Sequence, residues 1–401
     1  MFENILGHEE IISDLRRAVT EGRLPASVLF YGESFGGKLT TALELARVLS
    51  CRKEGEWGCT CESCRRHRLL ESSNTLILSP RRFTGEITVC ADTLSRDSGK
   101  AARYLFVRAV QKLLKQFDGA QWDNSDQVLK KAAGELEKIN ENLIKILPGI
   151  NGNGELPSSV ISAVLDSSVK LEKIIKSDGI PIARIRNMTY WVHTTNNEGS
   201  KIVILDGADT LGEGSRNALL KVLEEPPEGV HFILVSSGKE GIIPTILSRL
   251  RPYHFPVRNE ERQLEVVRRI FRNTGFSAGS LKDYFYAVNG IDREKLGKYA
   301  FAIVESAVSG QRINSKELDL ILGEVSGEET FLPFLEELSR LYRDILYGRE
   351  LRFKDVSPVV IDKWYRRLNK MLMNRSMYNQ SIPLLITSYL YGIRKERRIP
   401  G

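Results

Sequence analysis

Two groups of residues have types and spacings that can do chemistry. Residues 32–40 read Gly-Glu-Ser-Phe-Gly-Gly-Lys-Leu-Thr. Gly32, Gly37 and Lys38 fit the phosphate-loop pattern G-x-x-x-x-G-K-[ST], in which glycines let backbone N–H groups wrap phosphate oxygens and the lysine reaches the β/γ-phosphates. The pattern fails at Leu39, where an apolar side chain stands in place of the hydroxyl that binds Mg²⁺. Thr40 comes one residue late, and a helix turns about 100° per residue, so its hydroxyl faces elsewhere. Glu33 puts a carboxylate where a polyphosphate would approach. The other half of such a site belongs at the end of the apolar run Lys201–Asp206. Asp206 supplies the Mg²⁺ carboxylate, but Gly207 stands where an adjacent Glu would orient water, with Asp209 as a displaced substitute. Losing both the metal hydroxyl and the water-orienting carboxylate predicts no Mg²⁺-dependent ATP hydrolysis. Binding of ATP or ADP by Gly32, Gly37, Lys38, Thr40 and Asp206 stays open.

The second group is Cys51-x₇-Cys59-x-Cys61-x₂-Cys64, four of the chain's five cysteines in one short stretch. Four thiolates suit tetrahedral Zn²⁺, and closed Cys₄ sites are structural; the other reading is four packed free thiols. The single residue between Cys59 and Cys61 is expected to strain the turn. His67 is then the alternative for one ligand place, giving Cys₃His. Cys90 lies apart and reads as a small core residue.

The elements that position these groups alternate as in an α/β protein. Residues 9–21 carry Ile12, Leu15, Ala18 and Val19 at helical spacing, and Ser27–Tyr31 is a short apolar run. The glycine loop follows, and Lys38–Ser50 resumes a helical period: strand, glycine loop, helix. Asn74–Ser79, Lys201–Asp206 and Val230–Ser236 have the length and composition of buried parallel strands. Between about 86 and 179 the rhythm breaks into three helical patterns, Arg103–Phe117, Gln127–Leu147 and Ser158–Lys176, the last two separated by a Gly/Asn/Pro-rich linker at Pro148–Pro157. This predicts an inserted helical module. From about Asn259 onward helical patterns take over.

At 401 residues, two or three domains are expected. The net charge of +7 and pI near 9.0 suit an anionic partner and equally a mixed solvated surface. No run is apolar and long enough to span a bilayer, and the N-terminus lacks the basic and apolar regions of a signal peptide, so a cytoplasmic protein without membrane contact is expected.

Asn217–Pro227, Asn-Ala-Leu-Leu-Lys-Val-Leu-Glu-Glu-Pro-Pro, resembles the NALLK-x-LEEPP segment of the bacterial DNA polymerase III clamp-loader family. Phe2–His8, Gly22–Phe30 and Thr245–Arg249 are similar as well. The resemblance covers roughly 1–80 and 180–258 and, more faintly, the C-terminal helices; the insertion has no recognised counterpart. Within the family the altered loop is most like the delta-prime subunits, which do not hydrolyse ATP, and unlike the active gamma/tau ATPases.

The resemblance implies an AAA+-type P-loop α/β domain with a parallel sheet at 1–258, bearing the zinc module (about 51–67) and the helical insertion (about 86–179). A helical lid domain at 259–312 and a helical collar domain at 313–401, with Leu335, Leu338, Leu341, Ile345 and Leu346 at helical spacing, would follow. It implies a place in the polymerase holoenzyme, in a hetero-oligomeric ring with gamma/tau and delta subunits, acting on the sliding clamp and primed DNA. The family's Ser-Arg-Cys motif stands here as Ser248-Arg249-Leu250, making Arg249 an arginine finger acting in trans on a neighbour's ATP; a helix-ending arginine also serves as a surface ion pair. Ser236 and Ser237 occupy the sensor-1 position, or only cap a turn, and Arg293 is a faint sensor-2 candidate. The family carries a four-cysteine zinc module at the place of Cys51–Cys64, with a C-x₂-C-x₂-C core from which this chain departs. The rival readings are an active gamma/tau-type loader ATPase and a DNA-binding replication accessory module using the lysine-bearing insertion.

Overall fold

The computed structural model describes residues 1–123, 127–147, 157–175, 179–194, 199–378 and 380–396. The linker expected at 148–157 lies outside them except for Pro157, as do Lys176 and Asn379. Among the described residues five strands form one sheet: β1 (Ser27–Tyr31), β2 (Thr75–Leu78), β3 (Lys201–Asp206), β4 (Val230–Ser236) and β5 (Arg251–His254). Their order is β2-β3-β4-β1-β5, and every neighbouring pair is parallel. The first four are the apolar runs of the sequence. β5 is an edge strand in which only Tyr253 is buried.

Successive side chains of a strand point to opposite faces, and here both faces are covered. Val28, Phe30, Ile202, Ile204, Ile233 and Val235 join one core with the helices α1 (Glu9–Thr20) and α2 (Lys38–Leu49). Leu29, Val203, Leu205, Phe232 and Leu234 join a second core on the other face. The short helix α3 (Glu62–Arg68) follows the cysteine loop. Four helices follow β2: α4 (Thr84–Arg96), which the sequence patterns do not mark, then α5 (Lys100–Leu114), α6 (Gln127–Ile146) and α7 (Ser158–Ile174), where those patterns predict helices. Their apolar faces, including Phe106, Val110, Ile139, Leu143, Val164 and Leu171, extend the first core. The second face is covered by α8 (Ile182–His193), α9 (Glu213–Glu224) and α10 (Pro244–Leu247).

The chain divides into two compact units, Met1–Val288 and Asn289–Gly401. By packing, α11 (Glu260–Arg269) and α12 (Leu281–Val288) share the first unit's core through Val267, Leu281 and Tyr284. The segment 259–312 is therefore divided between the units, because α13 (Arg293–Ser309) belongs to the second. That unit continues with α14 (Ser315–Val325), α15 (Glu328–Leu346), α16 (Pro358–Tyr378) and α17 (Ile382–Glu396) around Phe334, Leu338, Ile361 and Trp364. Leu335, Leu338 and Ile345 are buried there, whereas Leu346 is exposed. Among the described residues no helix is long and apolar enough to cross a membrane.

Candidate functional site

The glycine loop joins the end of β1 to the start of α2, the place at which parallel α/β sheets bind phosphates. Gly32 has φ 140°, and a Cβ there would lie 2.1 Å from the Phe255 carbonyl oxygen, so no side chain fits. Gly37, with φ 83°, is the N-cap of α2. Replacing Gly32 with Ala is expected to destabilise the protein by roughly 3 kcal/mol or more, read as a lowered urea midpoint.

The loop is held by the chain's own side chains. Lys38 Nζ donates to the Gly32 and Glu33 carbonyls, both at 2.5 Å. Arg258 Nη1 donates to Phe35 O at 2.8 Å while its Nε donates to Leu6 O at 2.9 Å. His8 Nε2 lies 2.7 Å from Gly36 O. Burial pulls the Lys38 ammonium below its ordinary range, opposed by Asp206 and Asp209. Burial likewise lowers Arg258, and burial with the Arg258 charge lowers His8. Leu39 is buried in the core behind the loop. Thr40 is exposed on α2, and the buried Thr41 hydroxyl donates to Gly37 O at 3.0 Å.

Asp206 ends β3, buried, and accepts from Ser79 Oγ at 3.1 Å. Burial lifts its carboxyl above the ordinary value, while Arg81, the Ser79 hydroxyl and Lys38 pull it down. Gly207 has φ 85°, and a Cβ there would meet Pro80 side-chain atoms at 3.1 Å, so the position next to Asp206 disfavours a glutamate. Asp209 accepts from both the backbone N–H (3.2 Å) and the hydroxyl of Ser237. Ser236 Oγ donates to Gly238 O at 2.6 Å. Asp209, Ser236 and Ser237 thus close the turn after β4.

Arg249 lies at the other end of the sheet. Arg251 of β5 stands level with Val28 of β1, and both strands run toward Tyr31 and the loop. Arg249 lies in the turn two residues before β5, and Gly32 follows the other end of β1; the paired stretch between them, Val28–Tyr31, spans roughly 10 Å at 3.3 Å per residue. Arg249 Nη2 donates to Glu224 Oε1 and its Nη1 to Thr245 O, each at 2.6 Å. The side chain keeps 32% of its exposure. Leu250 is buried in the second core, which suits an apolar residue where the related motif has cysteine. In the second unit, Arg293 Nε and Nη2 reach Glu337 Oε1 at 2.8 and 2.6 Å, an ion pair on a fully buried carboxylate.

The sulfurs of Cys51, Cys59, Cys61 and Cys64 all lie within 4.8 Å of one another. Cys51 and Cys59 are 3.7 Å apart. Tetrahedral coordination with Zn–S near 2.3 Å requires about 3.8 Å between sulfurs, so the set fits a tetrahedral metal ion. The single-residue spacing closes because Cys59 precedes α3 while Cys61, extended at ψ 155°, is its N-cap. Backbone N–H groups aim at the sulfurs, Lys53 N to Cys51 at 3.3 Å and Cys64 N to Cys61 at 3.5 Å. Burial opposes ionisation of Cys61, but N–H groups of Cys64 and Arg52 hold its thiol down at about 6. His67 stands apart: it is buried beside Thr75 of β2, Nδ1 to Oγ1 3.5 Å, with burial and Lys115 lowering it to about 4. Cys90 is buried in the core of α4.

Sequence reasoning missed Arg258, His8, Glu224 and Arg47. The first three act across long sequence separations. Arg47, within α2, carries no pattern that separates a buried charge from a solvated one.

The parallel sheet, the glycine loop at the end of its β1 strand and the helices around it define an AAA+-type P-loop α/β protein. A model described as DNA polymerase III, delta subunit, matches residues 7–145 and 154–259, more than half of the chain. The chain belongs to this clamp-loader family. It is 36% identical over 93 residues to DNA polymerase III subunit delta' of Haemophilus influenzae, 23% of this chain and 28% of that protein. To subunit gamma of Buchnera aphidicola it is 31% identical over 196 residues, 46% of this chain and half (50%) of that protein. A gamma subunit-related protein of known structure from Thermotoga maritima matches 56% of this chain and 82% of its own at 20% identity, with a TM-score of 0.32.

Proposed function

We propose that this chain is a non-hydrolysing, delta-prime-like subunit of the DNA polymerase III clamp loader that supplies Arg249 in trans to ATP on a neighbouring subunit. The observation that carries the reading is the strand register. Arg249 lies in the turn that leads into β5 and the phosphate loop follows the opposite end of the neighbouring strand β1, which supports a guanidinium at 249 serving a phosphate outside this chain. A partly exposed, permanently charged fork suits that role. Leu39, Gly207 and the engaged Asp209 support the absence of hydrolysis: the metal hydroxyl is gone and the water-orienting position is a left-handed glycine. Lys38 and the loop glycines keep the cradle, so ATP or ADP held there would meet the lysine but no metal hydroxyl. The partners are gamma/tau and delta subunits in a ring, with the sliding clamp and primed DNA engaged through the complex, in the cytoplasm. The four-cysteine cluster is a structural zinc site.

The purified chain is expected to show no ATP turnover stimulated by clamp or primed DNA, with Lys38→Ala indistinguishable from the parent in a coupled phosphate-release assay. Turnover that Lys38→Ala abolishes would return the chain to the gamma/tau type of active ATPase.

A further inference from the structure

Resting on the zinc reading, we propose that Arg47 is the positioning residue of the metal centre, bridging the Cys64 thiolate to the helix that begins at the phosphate loop. Arg47 is 1% exposed, in a helix whose first residue is Lys38. A guanidinium has five N–H donors in a fixed fork, and each of them has an acceptor here. Nε reaches Glu44 Oε2 at 3.0 Å and Nη2 reaches Glu44 Oε1 at 2.7 Å. Nη2 also donates to Gly55 O at 2.6 Å, and Nη1 donates to Glu56 O at 3.1 Å and to Cys64 Sγ at 3.0 Å. The Trp57 ring lies 5.6 Å from the guanidinium carbon. One side chain thereby joins a helical carboxylate, two carbonyls of the cysteine loop and the Cys64 sulfur.

The arrangement has two consequences for the metal. Four thiolates around a divalent ion leave a net negative charge, and a buried cation donating to one sulfur offsets it where water does not. The carbonyls of Gly55 and Glu56 lie between Cys51 and Cys59, so holding them fixes the longest span of the ligand set before the ion arrives. Glu44 balances the buried charge on Arg47 and accepts from the Phe2 N–H at 3.4 Å, which ties the amino-terminal segment to the same helix. Lysine cannot replace this: it keeps the charge but places three donors at a single point.

The test uses the full chain with Arg47→Lys, Arg47→Met and Glu44→Gln, folding being checked by far-UV circular dichroism. Zn²⁺ affinity is measured by competition with a chromophoric chelator, and Co²⁺ is used to read the thiolate-to-metal charge-transfer bands. Both Arg47 variants are expected to lose 10- to 100-fold in Zn²⁺ affinity, to shift the Co²⁺ bands, and to show a faster overall alkylation of the cluster than the parent when metal-loaded. Glu44→Gln is expected to fall between them and the parent. If Arg47→Met fails to fold, Arg47→Lys and Glu44→Gln carry the same comparison. Parental affinity and spectra in Arg47→Lys would overturn the proposal. Failure of the parent itself to take up Zn²⁺ or Co²⁺ would instead remove the zinc reading on which it rests.

Discussion

Arg249→Ala is expected to lower ATP turnover of the reconstituted complex by about 10³-fold, with assembly unchanged. The size follows from the role: an arginine aimed at transferring phosphate stabilises charge that develops only in the transition state, so its loss appears in kcat. Assembly should survive because the ion pair removed, Arg249–Glu224, is on the surface, with side chains 32% and 50% exposed. Such pairs contribute about 0–1 kcal/mol. Glu224→Gln is the matching control: it removes the anchor and leaves the guanidinium, and should lower the rate far less. Arg249→Lys should resemble alanine more than the parent, since an ammonium cannot fork onto two phosphate oxygens. Steady-state ATPase measured with clamp and primed DNA, beside size-exclusion chromatography, separates rate from assembly. An unchanged rate in Arg249→Ala would remove the finger from the mechanism.

Much of this architecture is legible in the sequence because it depends on local patterns. β1, β3 and β4 begin and end where the apolar runs do, since a strand covered on both faces must be apolar throughout. β5 is not legible in that way. Arg-Pro-Tyr-His at an edge buries one side chain, and its pairing with β1 is set by the rest of the sheet. The phosphate loop could be read residue by residue, yet its closure could not. His8 and Arg258 come from opposite ends of the first 258 residues, and only the fold brings them to Gly36 and Phe35. The spacing of Cys59 and Cys61 suggested strain and a role for His67. In the structure the start of α3 turns Cys61 back toward Cys59, and His67 is packed against β2. Arg293, a faint sensor candidate in the sequence, forms an ion pair with Glu337 in the second unit.

On the proposed zinc reading, removing the metal is expected to be the most destabilising change that leaves every residue in place. The ligands run from the loop after α2 to Cys64 inside α3, and in the loop 51–61 Trp57 is the one large apolar side chain, so the loop has little apolar surface of its own to hold it. An ion bound only by the folded chain stabilises it by RT ln(1 + [L]/Kd), about 4 kcal/mol at a thousandfold excess over Kd. Incubation with excess chelator should therefore lower Tm and expose all four thiols to alkylation, while Cys90, buried in α4, remains protected until global unfolding. Cys61→Ser should reproduce the chelated state without chelator, and His67→Gln should retain the metal, because the imidazole faces Thr75. Acid should act in the same direction as the chelator: ligating sulfurs must be deprotonated, so the metal's contribution is present at neutral pH and is lost as protons compete for the thiolates. Identical melting with and without chelator, together with no zinc by elemental analysis, would sink this expectation. Retention of metal by Cys61→Ser but not by His67→Gln would instead make the site Cys₃His.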